Sequence, residues 1–452
     1  MSGRARSGGG IGRVLGALAP VLLAAGCGPA APPAIIVFDI DTLRADHLGC
    51  YGYSRDTSPI LDAFASEAAR FDWAFAQAPY TGPSQASILT SLYPSAHGFL
   101  RDDEELPLEA VTLAEVLRDG GYRTAGFIDG GYMSDDFNMG QGFELYENVR
   151  GRGLARSVPL ALGWLREHGS EPFLLLIHTY DTHTPYTPKP PYRELFLDGL
   201  APPTPGFEPT VEVMEGIRQS VWTDQPRSLP DNDLEYAKAL YDAEIRYVDD
   251  WFGRFVDGLR ELGLYDRSVI VVLSDHGEEF QEHGSVLHEK LYATVTRIPL
   301  LIRLPGGRRA GTIPTIVEGV DVMPTLVELA GLEAPANTHG GSLLPLIEGT
   351  AGGPGRAFGE SPYYGRERFL AEGGRRLLIS RDRPEREELY DFPADPHEQD
   401  NRAAADPAAV DRLRGRIDAW ERWVAAARIG DGATSPPDEE TQRQLRALGY
   451  LR

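Results

Sequence analysis

Asp275-His276-Gly277 closes an apolar run from Val269 to Leu273 and sets a carboxylate and an imidazole side by side at its end. The run is too short for a helix and reads as a buried strand, whose polar tip must find partners. Ligands of open α/β sheets bind at the carboxyl ends of strands, so the pair suits a divalent metal, with Gly277 letting the backbone turn close to the ion. A mutually satisfied Asp-His hydrogen bond is the plain alternative. Glu282, His283 and His288 follow within one short loop. A second apolar strand, starting at Ala34, ends in Asp41. Asp39, two residues back, shares the face of Asp41 and reads as a buried hydrogen-bonded partner or as support behind a ligand. In Thr81-Gly82-Pro83-Ser84, Pro83 suits a first helical position, which leaves Thr81 just ahead of a helix N-terminus where N–H groups and the dipole favour negative charge. A hydroxyl held there against a cation can serve as an alkoxide nucleophile; otherwise it caps the helix.

These residues need elements to hold them. Ser58-Pro59 opens a short helix, with Ser58 as its cap. Between Thr187 and Asn232 the chain is rich in Pro, Gly and polar residues, a long loop of the sort that carries specificity or a lid. Apolar residues at 237, 240, 241, 245, 248, 252, 255 and 259 recur at helical spacing and predict core packing. Past residue 346 the stretch Thr350-Ala351-Gly352-Gly353-Pro354-Gly355 marks a boundary. Beyond it come a short strand at 376–380 and a helix at 408–427.

Arginines at 4, 6 and 13 precede an apolar run over 14–23 that is too short to span a bilayer, and Leu23-Ala24-Ala25-Gly26-Cys27 follows. This resembles a bacterial lipobox, so the expectation is a signal peptide over 1–27, a lipid on Cys27, and a place on the outward face of the cell envelope, anchored to the membrane. Cys50 is then the only other cysteine, which excludes an intramolecular disulfide. The formal charge of -23 argues against nucleic acid as a partner. It also means that an anionic ester needs local positive charge, most simply a metal.

Taken together and in order, Asp41-Thr42-Leu43-Arg44-Ala45-Asp46-His47-Leu48, Thr81-Gly82-Pro83-Ser84 with Leu89-Thr90, and Ser274-Asp275-His276-Gly277-Glu278 resemble the sulfatase-like branch of the alkaline phosphatase superfamily. The resemblance continues through His178, Asp181-Thr182-His183-Thr184-Pro185, Arg297-Ile298-Pro299, Asp321-Val322-Met323-Pro324-Thr325 and the terminal Leu445-Arg446-Ala447-Leu448-Gly449-Tyr450-Leu451. It implies an α/β fold: a central, mostly parallel sheet flanked by helices over 34–345, and a small α+β C-terminal subdomain over 346–452. Two departures bear on chemistry. Formylglycine sulfatases have Cys or Ser where Thr81 stands and Arg where Gln85 stands; Thr carries a methyl on its β-carbon and cannot give the aldehyde, so no formylglycine is expected. The family's Lys-Trp-His segment is replaced by Thr124-Ala125-Gly126-Phe127-Ile128-Asp129-Gly130, and Thr42 replaces the second of two adjacent aspartates.

What the resemblance retains is the ligand set of threonine-nucleophile relatives: Asp41, Thr81, Asp275 and His276 on a divalent ion, with Zn or Mn favoured and Ca or Mg possible. His183 is implied as the acid that protonates the leaving alcohol. His288, Gln85 and His178 are implied near the substrate or a second metal. The expected activity is hydrolysis of sulfate or phosphate esters through a covalent ester on Thr81, phosphoryl esters slightly preferred. A phosphoryl-head-group transferase acting on lipid or glycan, and a catalytically silent binding protein, are the alternatives.

Overall fold

Apolar residues alternate along the first strand, and that alternation builds the molecule. In β1 (Ala34–Ile40), Ile36, Phe38 and Ile40 enter one apolar layer while Ile35 and Val37 enter another. Each face of the sheet is thus covered, as expected of strands buried on both sides. The computed structural model describes residues 8–9, 32–221, 223–363, 365–430 and 434–450. Cys27 and the apolar run before it lie outside the described residues, as does Leu451.

The main sheet takes β2 (Ala69–Phe75), β3 (Arg123–Ile128), β4 (Leu145–Asn148), β5 (Phe173–Thr179) and β6 (Ser268–Leu273). A small hairpin, β7 (Glu279–Phe280) with β8 (Val286–Leu287), precedes β9 (Arg297–Ile298), β10 (Leu300–Arg303) and β11 (Gly311–Glu318). The order is β11-β2-β10-β6-β1-β5-β3-β4, with β9 paired to β2. Pairing is parallel except around β9 and β10. A separate antiparallel sheet follows: β12 (Arg356–Glu360), β13 (Glu367–Glu372), β14 (Arg375–Ser380) and β15 (Glu387–Tyr390). From Pro32 onward the chain forms one compact unit.

The helix Asp231–Glu261 buries all eight residues of the predicted stripe against the β1 face. Tyr241 in that stripe does more than pack: its hydroxyl donates to the Thr42 carbonyl at 2.7 Å and accepts from the Arg44 N–H at 2.9 Å, pinning the loop after β1. The helix Pro59–Ala65 forms with Pro59 at its start, but Ser58 makes no side-chain cap. Its free N–H groups at Ile60 and Leu61 donate instead to Asp249, at 3.0 and 2.7 Å, a residue of the long helix. The described residues of 187–230 are irregular apart from short helices at Tyr192–Glu194 and Val211–Ser220, and the long helix takes over at Asp231. No helix among the described residues is long and apolar enough to cross a membrane.

Candidate active site

Register brings the site together. Asp39 of β1 pairs with His178 of β5 on one side and Leu273 of β6 on the other, so three parallel strands end level. The backbone N–H of Asp41 still donates to the Thr179 carbonyl at 3.1 Å, which carries the ladder one residue past the strand. Parity then decides direction. Asp39, Asp41 and His178 fall on the face of Ile35, Val37, Leu174 and Leu176, where the helix Thr81–Thr90 packs.

Thr81 is the first residue of that helix rather than the one ahead of it, and Pro83 is the third. The shift costs no hydrogen bond, because the first four N–H groups of a helix have no intrahelical partner. The Thr81 hydroxyl donates to Asp41 Oδ2 at 3.0 Å and lies 3.4 Å from His276 Nε2. His276 Nδ1 donates to the Gly277 carbonyl at 3.0 Å, which leaves Nε2 as a lone pair aimed at Thr81. Asp275 Oδ1 accepts from the N–H groups of His276 and Thr42, at 2.8 and 3.3 Å. One donor atom from each of Asp41, Asp275 and His276 lies within 4.8 Å of the others, and all three residues are buried. Gly277 is required by close packing: a Cβ there would stand 2.3 Å from the Thr294 carbonyl oxygen, so the tight approach is to this neighbouring segment.

The polar atoms left over identify what the cluster fits. Asp41 Oδ1, Asp275 Oδ2 and both ring nitrogens of His178 are buried without a hydrogen-bond partner. His178 Nε2 stands 3.8 Å from Asp41 Oδ2, and the nearest basic group to Asp275 Oδ2 is His276 Nε2 at 3.5 Å. Burial, reinforced by the charge of Asp275, drives the Asp41 carboxyl well above the usual range, and the same two causes act on Asp39. Burial lowers the His178 imidazole to about 4. The orphaned carboxylate oxygens of Asp41 and Asp275, beside the His276 imidazole, fit a divalent cation, which would satisfy both oxygens.

The other predicted residues divide. His183 and His288 reach the site: their rings lie 5.1 Å apart, and His288 lies 4.4 Å from the His276 ring. His183 Nδ1 donates to the Thr184 carbonyl at 2.6 Å, so its Nε2 lone pair faces the Tyr450 hydroxyl at 3.0 Å, and burial followed by the repulsion of His288 lowers its pKa to about 3. In this state the ring is neutral, and its Nε2 accepts a hydrogen bond and has no proton to donate. His288 Nδ1 faces Glu278 Oε1 at 3.2 Å, while Tyr186 donates to Glu278 Oε2 at 3.0 Å. Burial raises the Glu278 carboxyl to about 7. Gln85 lies one turn beyond Thr81, but its amide is turned to Asp39 and engaged there, away from the cleft. Glu282 and His283 belong to other contacts. The first pairs with Arg44 at 2.7 Å; the second pairs with Glu279 at 2.9 Å and stacks on Tyr292.

Asp129, in the segment that stands in place of the family's Lys-Trp-His, accepts from the N–H groups of Gly153 and Tyr180, at 3.1 and 3.3 Å. Burial lifts its carboxyl to about 7. Thr42, at a left-handed φ of 55°, sends its hydroxyl to the Thr182 carbonyl at 3.1 Å and so joins the β1 loop to the loop bearing His183. Sequence reasoning assigned no role to Tyr450, yet its hydroxyl stands 3.1 Å from Thr81 Oγ1. A tyrosine after an amphipathic helix carries no local chemical signal, so only the fold reveals it.

With this geometry in view, the comparisons are decisive. The family model described as Sulfatase matches residues 33–332. The chain belongs to the sulfatase family. With that family it joins the alkaline phosphatase superfamily. A second match, to the C-terminal region of N-sulphoglucosamine sulphohydrolase, spans residues 281–412. Among curated relatives, an N-acetylglucosamine-6-O-sulfatase of Bacteroides thetaiotaomicron is 25% identical, with 82% of each chain covered. A structure solved in complex with its substrate D-glucosamine-2-N,6-O-disulfate shares the fold at a TM-score of 0.75 and 21% identity, over 87% of this chain and 98% of that one. The phosphonate monoester hydrolase of Agrobacterium radiobacter does so at 0.69 and 21% identity, over 90% and 100%. The sulfatase-like fold, with its mostly parallel sheet, flanking helices and small antiparallel C-terminal sheet, is thus the one expected from the sequence.

Proposed function

We propose that this sulfatase-family protein is a metal-dependent ester hydrolase in which Thr81 is the nucleophile and phosphoryl esters are turned over better than sulfuryl esters. The observation that carries this reading is the Thr81 hydroxyl, 3.0 Å from Asp41 and 3.4 Å from His276 at a buried cluster with unmatched carboxylate oxygens. Asp41, Asp275, His276 and the Thr81 hydroxyl would hold the ion, with Zn or Mn suiting mixed carboxylate and imidazole donors and Mg or Ca suiting the oxygens. Bound there, a divalent ion supplies positive charge that lowers the threonine pKa and neutralises the oxyanion. Asp41 accepts the Thr81 hydrogen bond and aims the oxygen toward the cleft. The positive end of the helix dipole, at whose first residue Thr81 sits, favours the developing negative charge. His183 Nε2 and His288 Nε2 face the same point; an anionic ester drawn between them favours protonation of an imidazole, and His183 then passes that proton to the departing alcohol. Attack gives an ester on Thr81, which water resolves at phosphorus or sulfur.

Thr81 has no route to formylglycine, and Gln85 and Asp129 replace the cationic grip on sulfate, so attack at phosphorus is the better-supported step. Sulfate esters are the second reading. The family match and the sulfatase named among the curated relatives favour it. The test is metal analysis of the purified protein with a screen of aryl sulfates, phosphate monoesters, phosphodiesters and phosphonate monoesters, followed by mass spectrometry of the Thr81 peptide after trapping with a slow substrate. Efficient sulfate release without phosphoesterase activity would overturn the phosphoryl preference. A metal-free active enzyme, or a persistently unmodified Thr81, would overturn the mechanism.

A further inference from the structure

Three reactive atoms of the site face one phenol. The Tyr450 hydroxyl stands 3.1 Å from Thr81 Oγ1, 3.0 Å from His183 Nε2 and 3.1 Å from His288 Nε2. Both imidazoles have turned Nδ1 elsewhere, His183 to the Thr184 carbonyl and His288 to Glu278. Two Nε2 lone pairs therefore compete for a hydroxyl with one proton to give. That is a poor fit for a resident side chain and a better one for an incoming alcohol, or for an anion whose charge draws a proton onto one of the two imidazoles. Distance points the same way. In a near-attack arrangement the reacting atom stands about 3–3.5 Å from the nucleophile. The phenol oxygen, at 3.1 Å from Thr81, already fills that place.

Tyr450 follows Gly449, which closes the helix Glu439–Leu448 in the left-handed conformation at φ 91°. Leu448, just before that turn, borders both openings to His183: a cleft past Tyr80 and Tyr363, and a groove past Lys189 and Arg150. The turn is the partition between the two. Its helix is held by the buried Thr441 and Leu445, by a hydrogen bond from the Gly131 N–H to Gln444 at 3.2 Å and by one from the Asp438 N–H to Asp136 at 3.2 Å. The Tyr450 ring meets Tyr132 edge-on at 4.9 Å.

We propose that Tyr450 is a gating and specificity-determining residue, whose phenol holds the place of the reacting group until an ester displaces it. Displacing the Leu448–Tyr450 turn joins cleft and groove into one passage, so the alcohol portion of the substrate is selected by what can take the turn's place. This rests on the reading of Thr81 as the nucleophile of an ester hydrolase.

The test uses the full-length, metal-loaded protein with Y450F and Y450A. Calorimetry with inorganic phosphate and with sulfate is combined with amide hydrogen exchange over residues 439–450. If the open form is a minor fraction on the order of 10%, Y450A should bind the anion ~10-fold more tightly, because it has no phenol to displace. Y450F should gain less, since the ring remains, and the anion should speed exchange in the C-terminal helix of the unsubstituted protein. Unchanged or weaker anion binding by Y450A overturns the gate, as does slower exchange on binding. A fall in kcat for Y450F with unaltered anion affinity also overturns it and makes Tyr450 a catalytic residue. In each of these outcomes the hydrolase reading stands. Failure of every protein to bind either anion overturns that reading and the gate with it.

Discussion

Thr81 tests the chemistry most directly, because among the described residues its hydroxyl is the candidate nucleophile in contact with Asp41 and His276. Thr81→Ala should lower kcat by at least about 10³-fold, and Thr81→Ser should keep part of the activity since the hydroxyl persists. Steady-state rates on an aryl phosphate decide this; equal activity in both variants would remove Thr81 from the mechanism. Asp275→Ala and His276→Ala each delete a predicted ligand and should strip the metal as read by elemental analysis. Asp39→Asn should leave it bound, because the partner of Asp39 is the Gln85 amide. Metal loss from Asp39→Asn alone would reverse the ligand assignment. His183 turns an unprotonated Nε2 to the Tyr450 hydroxyl and binds Thr184 through Nδ1, so its acid role depends on a proton acquired with the substrate. A general acid contributes a factor of about 10²–10⁴ where the leaving alcohol is poor. His183→Ala should therefore slow an alkyl ester far more than a nitrophenyl ester, and equal losses would make it a positioning residue.

Among the elements, β14 steadies the Asp275-His276-Gly277 turn from outside the main sheet. Arg376 of β14 pairs with Glu398 at 2.5 Å and donates to Thr296 Oγ1 at 2.7 Å. Glu398 also accepts from the Ala293 N–H at 2.7 Å. The helix Ala293–Thr296 then receives the Gly277 N–H at the Val295 carbonyl, 2.6 Å away. Arg376 and Glu398 are both buried, so Glu398→Ala should destabilise by about 3–5 kcal/mol in chemical denaturation, chiefly by leaving a guanidinium uncompensated. Removing both charges, with Arg376→Met added, should recover part of that loss. A double variant as unstable as the single would show that packing around Glu398, not the stranded charge, sets the cost.

For the molecule as a whole, the proposed place is the outer face of a bacterial envelope. The lipobox-like Leu23-Ala24-Ala25-Gly26-Cys27 calls for lipid on Cys27, and a stable hold on the membrane takes more than one acyl chain there or a second membrane signal. Cys27→Ala should move the protein from the membrane fraction to the soluble one or halt its processing. Unchanged fractionation and intact mass would refute the lipid. The charge of -23 leaves the proposed cation at the strand tips as the natural attraction for an anionic ester, so chelation should weaken substrate binding as well as turnover.

The strand tips were legible in the sequence because short apolar runs ending in carboxylates have few physical outcomes. Burial drives the run into a sheet, and the desolvated Asp41, Asp275 and His276 must then converge on something charged. The helix stripe over 237–259 was legible for the same reason, since period and burial are local properties. Partners distant in the chain were decided by the tertiary structure alone. Gln85 turns to Asp39 because helix and strand meet at that register, and Asp249 caps a helix 188 residues away. Tyr450 meets Thr81 across 369 residues. No pattern in a local window encodes such a meeting, because it follows from how the sheet is ordered and where the last helix docks.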